Sequence, residues 1–466
     1  MNMMHKQLFQ IRMIVPWMAV CIIWAMVNTQ KIDATPLVNE QMKPSNRSIT
    51  PVQNIQIGIT AMDSIRVSWD VRNQSSANVV TIKKRVDDGP FYVVGTTNAQ
   101  EFLDDDIDDG HMYHYIVSKG NAPSEAIESE SHRIGLLQID HDNIWMVKDN
   151  ASVHGTPLRT YLGKPTGRLT THDVAHISTL YIAGYRTQDD VSTDSINGPL
   201  AAFTGLKKLE IHADGIQLQA LSSLTSLKQL IALGIYSNDL VDITALEGLT
   251  QLTWLSLAGN NISNIEPLKH LRSLRTLNLA KNDRIKDIQP LAHLTSLKHL
   301  NLSRNNIADI ASLASLKRLR VLNLSSNQIK DIQALKHLTQ LERLHLSYNH
   351  IYFIQPLAQL QHIEFFAAEH NAIHSIDAIR GWSQLQVLFL NNNRIESIEA
   401  LATLPSITYV SLNHNLIRDI SVLQTMKAKS NVKIIMSKNP VKLHMVSNQV
   451  EDQLVVKPRH QQSAIK

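Results

Sequence analysis

The sequence predicts an all-β sandwich over residues 51–140, followed by a long repeat solenoid. In the solenoid, short strands stack into one parallel sheet, and short helical or 3-10 returns close each turn. Three observations predict this. From Leu206 onward the chain repeats itself at a step of 22 residues. An asparagine returns at the same place in copy after copy. Between 51 and 140, apolar and polar residues alternate with period two.

Composition bounds the function. Of 466 residues, 43% are hydrophobic, enough for a packed core. Charged residues reach only 18%, which excludes a disordered polyampholyte. With 45 Lys+Arg against 41 Asp+Glu, the net charge is +4, too small for a dedicated nucleic-acid binder with a concentrated basic face. The one cysteine, Cys21, excludes an intramolecular disulfide and any Cys-ligated zinc or iron–sulfur site.

The first element is an export signal over residues 1–34. His5, Lys6 and Arg12 lie in a stretch without acids, and Met13 to Val27 is an unbroken apolar run of 15. A membrane-spanning helix needs about 20, and Pro16 interrupts this one. Ala34, with Ile32 at the −3 position, is the best small-residue cleavage candidate. The alternative is an uncleaved anchor, in which case this segment alone meets the membrane. Cleavage would leave a cysteine-free protein that does not depend on oxidative folding, which fits a bacterial export route. Residues 35–50 are polar and Pro-containing and read as a linker.

The second element is the sandwich. Ile65, Val67 and Trp69 alternate, as do Val80 and Ile82; Phe91 to Val94 and Tyr113, Tyr115, Val117 follow. Turn residues separate them: Asp87-Asp88-Gly89-Pro90 and Asp108-Asp109-Gly110. The strand carrying Trp69, with Ile107, Gly110, Tyr113, Tyr115 and Val117, resembles a fibronectin type III domain, with Tyr113 in the place of that family's corner tyrosine. Asp104, Asp106 and Asp108 have calcium-loop spacing, but Asp109 stands where Gly is required and Tyr115 where Glu is. The run therefore reads as a solvated loop.

The repeats form the main body. One copy reads Leu252, Leu255, Leu257, Asn260, Ile262, Ile265, Leu268, Leu271 at offsets 0, +3, +5, +8, +10, +13, +16 and +19. Copies begin at Leu206, Leu230, Leu252, Leu274, Leu297, Leu319, Leu341, Ile363, Leu385, Ile407 and Asn431. The irregular opening copy at Leu206 is 24 residues long, the step after Leu274 is 23, because of Asp283-Arg284, and the last step is 24. A degenerate leading copy starts at Ile177. The recurring asparagines are Asn238, Asn260, Asn282, Asn305, Asn327, Asn349, Asn371, Asn393, Asn415 and Asn439, with Asp214 in the equivalent first place. One copy cannot bury its apolar side alone, so copies stack. Leu at +3 and +5 points inward, and an amide at +8 offers both donor and acceptor to buried turns. Residues 150–205 form the N-terminal cap and leading copy, 206–440 the repeats, and 441–466 a polar tail. In the cap, Leu158, Leu162, Val174 and Ile177 supply apolar faces, and Thr170 with Asp173 is a capping-box start.

This pattern resembles the leucine-rich repeat family, in the 22-residue class of bacterial internalin-like surface proteins. The resemblance implies a non-enzymatic role in adhesion or host contact, at the cell surface or outside the cell. The chain departs from that pattern by placing a β-sandwich before the repeats and by lacking a C-terminal wall-sorting motif.

No catalytic constellation, cofactor motif or metal-ligand cluster is present. The 21 histidines fall mostly at solvent positions of the returns, such as His270, His293 and His337, whole repeats apart. The informative positions are +2, +4 and +6, which alternate with the buried leucines and project from the concave face. They give two groups. Tyr236 and Trp254 sit among Ala232, Gly234, Ser256 and Ala258. Phe365, Val387, Phe389 and Tyr409 form a patch bordered by Arg343, His345 and Glu369, with Tyr348 and His370 at +7. Aromatics rimmed by polar residues mark interaction sites, so a protein ligand on the concave face is the expected partner. Carbohydrate binding, or a scaffold of intracellular type, are the alternatives.

Overall fold

The structure, a computed structural model, describes residues 52–59, 64–71, 80–108, 111–119, 127–128, 132–137, 145–147, 156–184, 193–213, 221–236, 239–426, 432–441 and 454–455. The export segment with Cys21, the linker, Asp214 and Asn238 lie outside these residues.

The N-terminal strands are antiparallel: β1 (Val52–Ile59), β2 (Ile65–Val71), β3 (Val80–Val86), β4 (Tyr92–Thr97), β5 (Glu101–Asp104), β6 (Met112–Lys119), β7 (Ile127–Glu128) and β8 (His132–Leu137). One sheet has the order β1-β2-β5; the other runs β8-β6-β3-β4, with β7 on β6. The period-two residues meet in one core: Ile65, Val67 and Trp69 from the first sheet, and Val80, Ile82, Tyr113, Tyr115 and Val117 from the second.

The calcium-like acids are used differently. Asp104 is 5% exposed and accepts an ion pair from the buried Lys84 Nζ at 2.9 Å. The Tyr115 hydroxyl donates to the same carboxylate oxygen, and Lys84 also donates to the Asp106 carbonyl. Two charges this deep are tolerable only as a well-bonded pair. Asp104 thus belongs to the core, not to a solvated loop, while the Asp106 side chain is 97% exposed.

Two boundaries differ from the sequence expectation. β9 (Trp145–Val147), placed between the domains, pairs antiparallel with β12 (Thr179–Gly184) at the start of the solenoid sheet; β10 (Thr156–Pro157) lies outside it. β11 (Leu169–Thr170), inside the cap, pairs with β8. The cap backbone therefore completes a sheet on each side, satisfying edge groups that would otherwise be open. Strands of two or three residues carry too little alternation to be read from sequence. Arg168 reinforces the junction, donating to the Ile107 carbonyl at 2.8 Å. Helix Leu158–Leu162 ends at Gly163 in the left-handed region, with φ 66. Helix Thr171–Val174 starts at the capping box: the Thr170 amide donates to Asp173 Oδ2 at 2.8 Å and the Asp173 amide to Thr170 Oγ1 at 3.3 Å.

From β12 the strands run parallel: β13 (Lys208–Ala213), β14 (Ala232–Tyr236), then three residues per copy at offsets +2 to +4, from β15 (Trp254–Ser256) to β23 (Lys433–Ile435). Each pairs with its neighbour offset for offset, as in Phe365↔Val387↔Tyr409. The returns are 3-10 turns such as Glu266–His270. The longer last step instead holds the α-helix Val422–Met426. The tail is not wholly outside the sheet: β24 (Leu454–Val455) extends it beyond β23.

The core is one continuous apolar column. Leu255, Leu257, Ile262, Ile265, Leu268 and Leu271 are all at most 1% exposed. One copy repacks it. Phe366 replaces Leu at +3 and meets Trp382 edge-on at 5.5 Å, while Ala368 at +5 makes room.

The +8 asparagines tie neighbouring copies together. Asn327 Nδ2 donates to the Leu302 carbonyl of the preceding copy at 2.9 Å and to Leu324 of its own at 3.0 Å. Its Oδ1 accepts from the Ile307 amide, again in the preceding copy, at 3.0 Å. Asn282, Asn349, Asn371, Asn393, Asn415 and Asn439 likewise accept at Oδ1 from an amide of the preceding copy. Asn260 makes the corresponding Nδ2 bonds, to Ile235 and Leu257. Asn305 is the exception. The extra residue at 283–284 lets the Ile285 amide bond the Asn282 carbonyl instead, so the buried Asn305 Oδ1 has no partner.

Candidate binding face

The outward face of the sheet is built by strand parity. Residues at +2 and +4 stand out from the sheet because +3 is buried in the column behind it. Leu388 is fully buried, while Val387 and Phe389 on either side are half-exposed.

The structure brings the predicted patch together. Phe365 and Phe389 have ring centroids 5.7 Å apart, and Phe389 and Tyr409 5.3 Å, each inclined by about 46°. His345 joins at 4.6 Å from Phe365. Burial, helped by Arg343, pushes the His345 pKa down to about 4, so the imidazole is neutral at physiological pH. Val387 lies between Phe365 and Tyr409 in register, and Arg343 stands exposed beside Phe365. Tyr348 stacks on His370 at 4.2 Å on the rim, both with left-handed backbone, φ 58 and 53.

Tyr236 and Trp254 form a separate group, whose nearer member, Trp254, is four copies from Arg343 or ~19 Å along the sheet. Gly234 lets their rings lie over the backbone. A Cβ there would stand 3.0 Å from Tyr236 Cε2 and 3.3 Å from Trp254 Cζ3. The stack continues to His212, 4.6 Å from Tyr236, and to Tyr181, 5.0 Å from His212. Sequence reasoning missed Tyr181 and His212, because the first two copies are irregular and their outward positions are hard to index.

A second polar ladder explains where aromatics fit. In three copies an asparagine at +4 turns back on its own strand end: Asn278, Asn301 and Asn323 accept from the amides of Ala280, Ser303 and Ser325 at 3.0–3.1 Å. Toward the C-terminus this task moves to +6. Asn391 Oδ1 accepts from the Asn413 amide and from Ser411 Oγ, and Asn413 Oδ1 from the Ser437 amide, each at 2.7 Å. That shift frees +4 for Phe389. Glu369, at +6 and 8% exposed, accepts from Asn391 Nδ2; burial raises its pKa, and the Asn391 bond opposes the rise.

One further exposed aromatic was missed. At +12, eight copies hold Asp, Asn or Ser, whose side chain accepts from the amide two residues on, at the start of the return: Asp242, Asn264, Asp287, Asp309, Asp331, Ser375, Ser397 and Asp419. The copy at Leu341 has Phe353 there, 74% exposed and without an acceptor to offer. Tyr352 beside it is 44% exposed, and both rings lie 6.4 Å from His374. The break in the +12 column was visible in the sequence. Among the described residues, no three His, Cys, Asp or Glu come together as a metal site.

Comparison with known proteins agrees with this geometry. A family model described as leucine-rich repeats, two copies, matches residues 250–293, 295–337 and 383–425. The crystal structure of an internalin (inlF) from Listeria monocytogenes is similar, with 28% identity and a TM-score of 0.53, over 65% of this chain and 93% of that one. An internalin C2 from the same species has 27% identity and a TM-score of 0.39, over 51% and 90% of the two chains. A Leptospira interrogans leucine-rich-repeat protein has 20% identity and a TM-score of 0.49, over 58% and 82%. No curated protein sequence matches the chain. The chain thus carries leucine-rich repeats in a solenoid of parallel strands and 3-10 returns, similar to that of a Listeria internalin.

Proposed function

We propose that this is an exported, non-enzymatic recognition protein that binds a protein partner through the concave patch at 343–409. The observation that carries the reading is the run Phe365–Phe389–Tyr409. Three rings from three successive copies stand half-exposed on a face whose packing is complete without them. Aromatic residues rimmed by polar groups are the usual anchors of protein interfaces. The similarity to an internalin supports a surface or extracellular setting, with adhesion or host contact as the role. The export segment supports the same setting from the sequence.

We read the N-terminal strands as a fibronectin type III-like module. The strand orders β1-β2-β5 and β8-β6-β3-β4 support this, as does Tyr113, whose hydroxyl accepts from the Asp108 amide at 2.7 Å and donates to the Asp108 carbonyl.

A photo-crosslinking side chain at Val387, compared with one at His293 on a return, tests the binding face. Surface extracts of candidate partner cells should give a crosslinked protein from Val387 and none from His293. Crosslinks from His293 alone would place the interface elsewhere.

A further inference from the structure

Glu369 does not follow the logic of the repeat. The other +6 positions from Ala258 to Ser437 are Ala280, Ser303, Ser325, Ser347, Asn391 and Asn413, and Glu369 is the one acid at +2, +4 or +6 from Trp254 to Ser437. It is 8% exposed, yet among the described residues no lysine or arginine pairs with it. Asn391 Nδ2 donates to Oε1. Oε2 has no donor, and it is not among the atoms sealed from solvent. Burying a carboxylate without a cation is unfavourable, and the fold asks for no acid here.

Its surroundings suit a cation. Asn391, which holds Glu369, lies two residues beyond Phe389, and Ala367, two before Glu369, faces Phe389 in register. The hydroxyls of Tyr348 and Tyr409 both feel the Glu369 charge, which adds to burial in raising their pKa values. Ring faces attract cations. Among the described residues, none of the basic groups of this face forms an ion pair with the carboxylate. Arg343 and Lys433 are on the +2 row, ~13 Å back along the strands. His370, His414 and Lys438 are on the +7 rim, and His345 is neutral.

We propose that this site takes a lysine or arginine side chain of the protein partner, its charge against Glu369 Oε2 and its stem across Phe389 and Tyr409. The inference rests on the concave-face reading above and adds the chemistry of what is bound.

The test uses random peptides displayed on phage, selected on the full chain. Selected binders should share a basic residue. Replacing it by Gln should weaken binding at least about tenfold on the parent and leave binding to Glu369→Gln unchanged. Glu369→Gln should itself lose about tenfold for the basic peptide. It should also melt no lower than the parent at pH 7, since a carboxyl whose folded pKa is raised costs stability once pH rises above that pKa. Parent affinity should fall as pH drops through the raised Glu369 pKa, while the Gln variant stays flat. Binders without a basic residue, or equal binding by Glu369→Gln, overturn the inference. If Phe389→Ala abolishes binding and Glu369→Gln does not, the concave-face reading stands and the cation inference falls. If neither variant changes binding, both fall.

Discussion

At the scale of single residues, the +8 asparagine carries the most structural information. Its role was readable because the chemistry admits few substitutes: one side chain must donate to two carbonyls and accept one amide, across two copies. Asn327→Ala strips the bonds to Leu302, Leu324 and Ile307 at once. Each buried group left unpaired costs about 1–3 kcal/mol, so the melting temperature should drop by several degrees and the transition should broaden. A melt that overlays the parent would contradict this role. Asn305 shows what the sequence hid. It has the right residue in the right register, yet the inserted residue at 283–284 in the preceding copy turns the Ile285 amide onto the Asn282 carbonyl and takes away its donor. Register alone does not reveal a lost partner.

At the scale of elements, the strand–turn–return unit was legible down to the inward offsets, because burial forces those positions to be apolar in every copy. The outward columns were less legible. Their bonding partners change from copy to copy, so the +4 and +6 asparagines and the +12 caps read as ordinary surface polarity until seen as columns. Phe353 is the clearest case, an exposed ring where eight neighbours cap a turn. Phe353→Asp should restore the cap and stabilise the array by about 0.5–2 kcal/mol, read as a rise in melting temperature. A fall would mean that the ring packs in a way its exposure does not suggest. The short strands β9 and β11 escaped for a different reason: pairing fixes them, and their own sequences are too short to show it.

At the scale of the whole molecule, the two modules were separable in sequence but share cap backbone in the structure, through β11 on β8 and Arg168 on Ile107. The candidate face was legible because the solenoid turns a linear offset into a position on a surface. What the sequence lacked was the neighbour relation across copies: that Asn391 holds Glu369 beside Phe389, and that His345 completes the aromatic run. The central claim is that this run is a recognition surface and not core. Paired melts and affinities for Phe389→Ala and Leu388→Ala, against a partner captured from surface extracts, test it most directly. Phe389→Ala should keep the parent's stability and weaken binding at least about 30-fold. Leu388→Ala, one residue away and fully buried, should lose roughly 2–5 kcal/mol of stability and affect binding only through unfolding. Equal destabilisation by the two changes, or unaltered affinity in Phe389→Ala, would contradict the account.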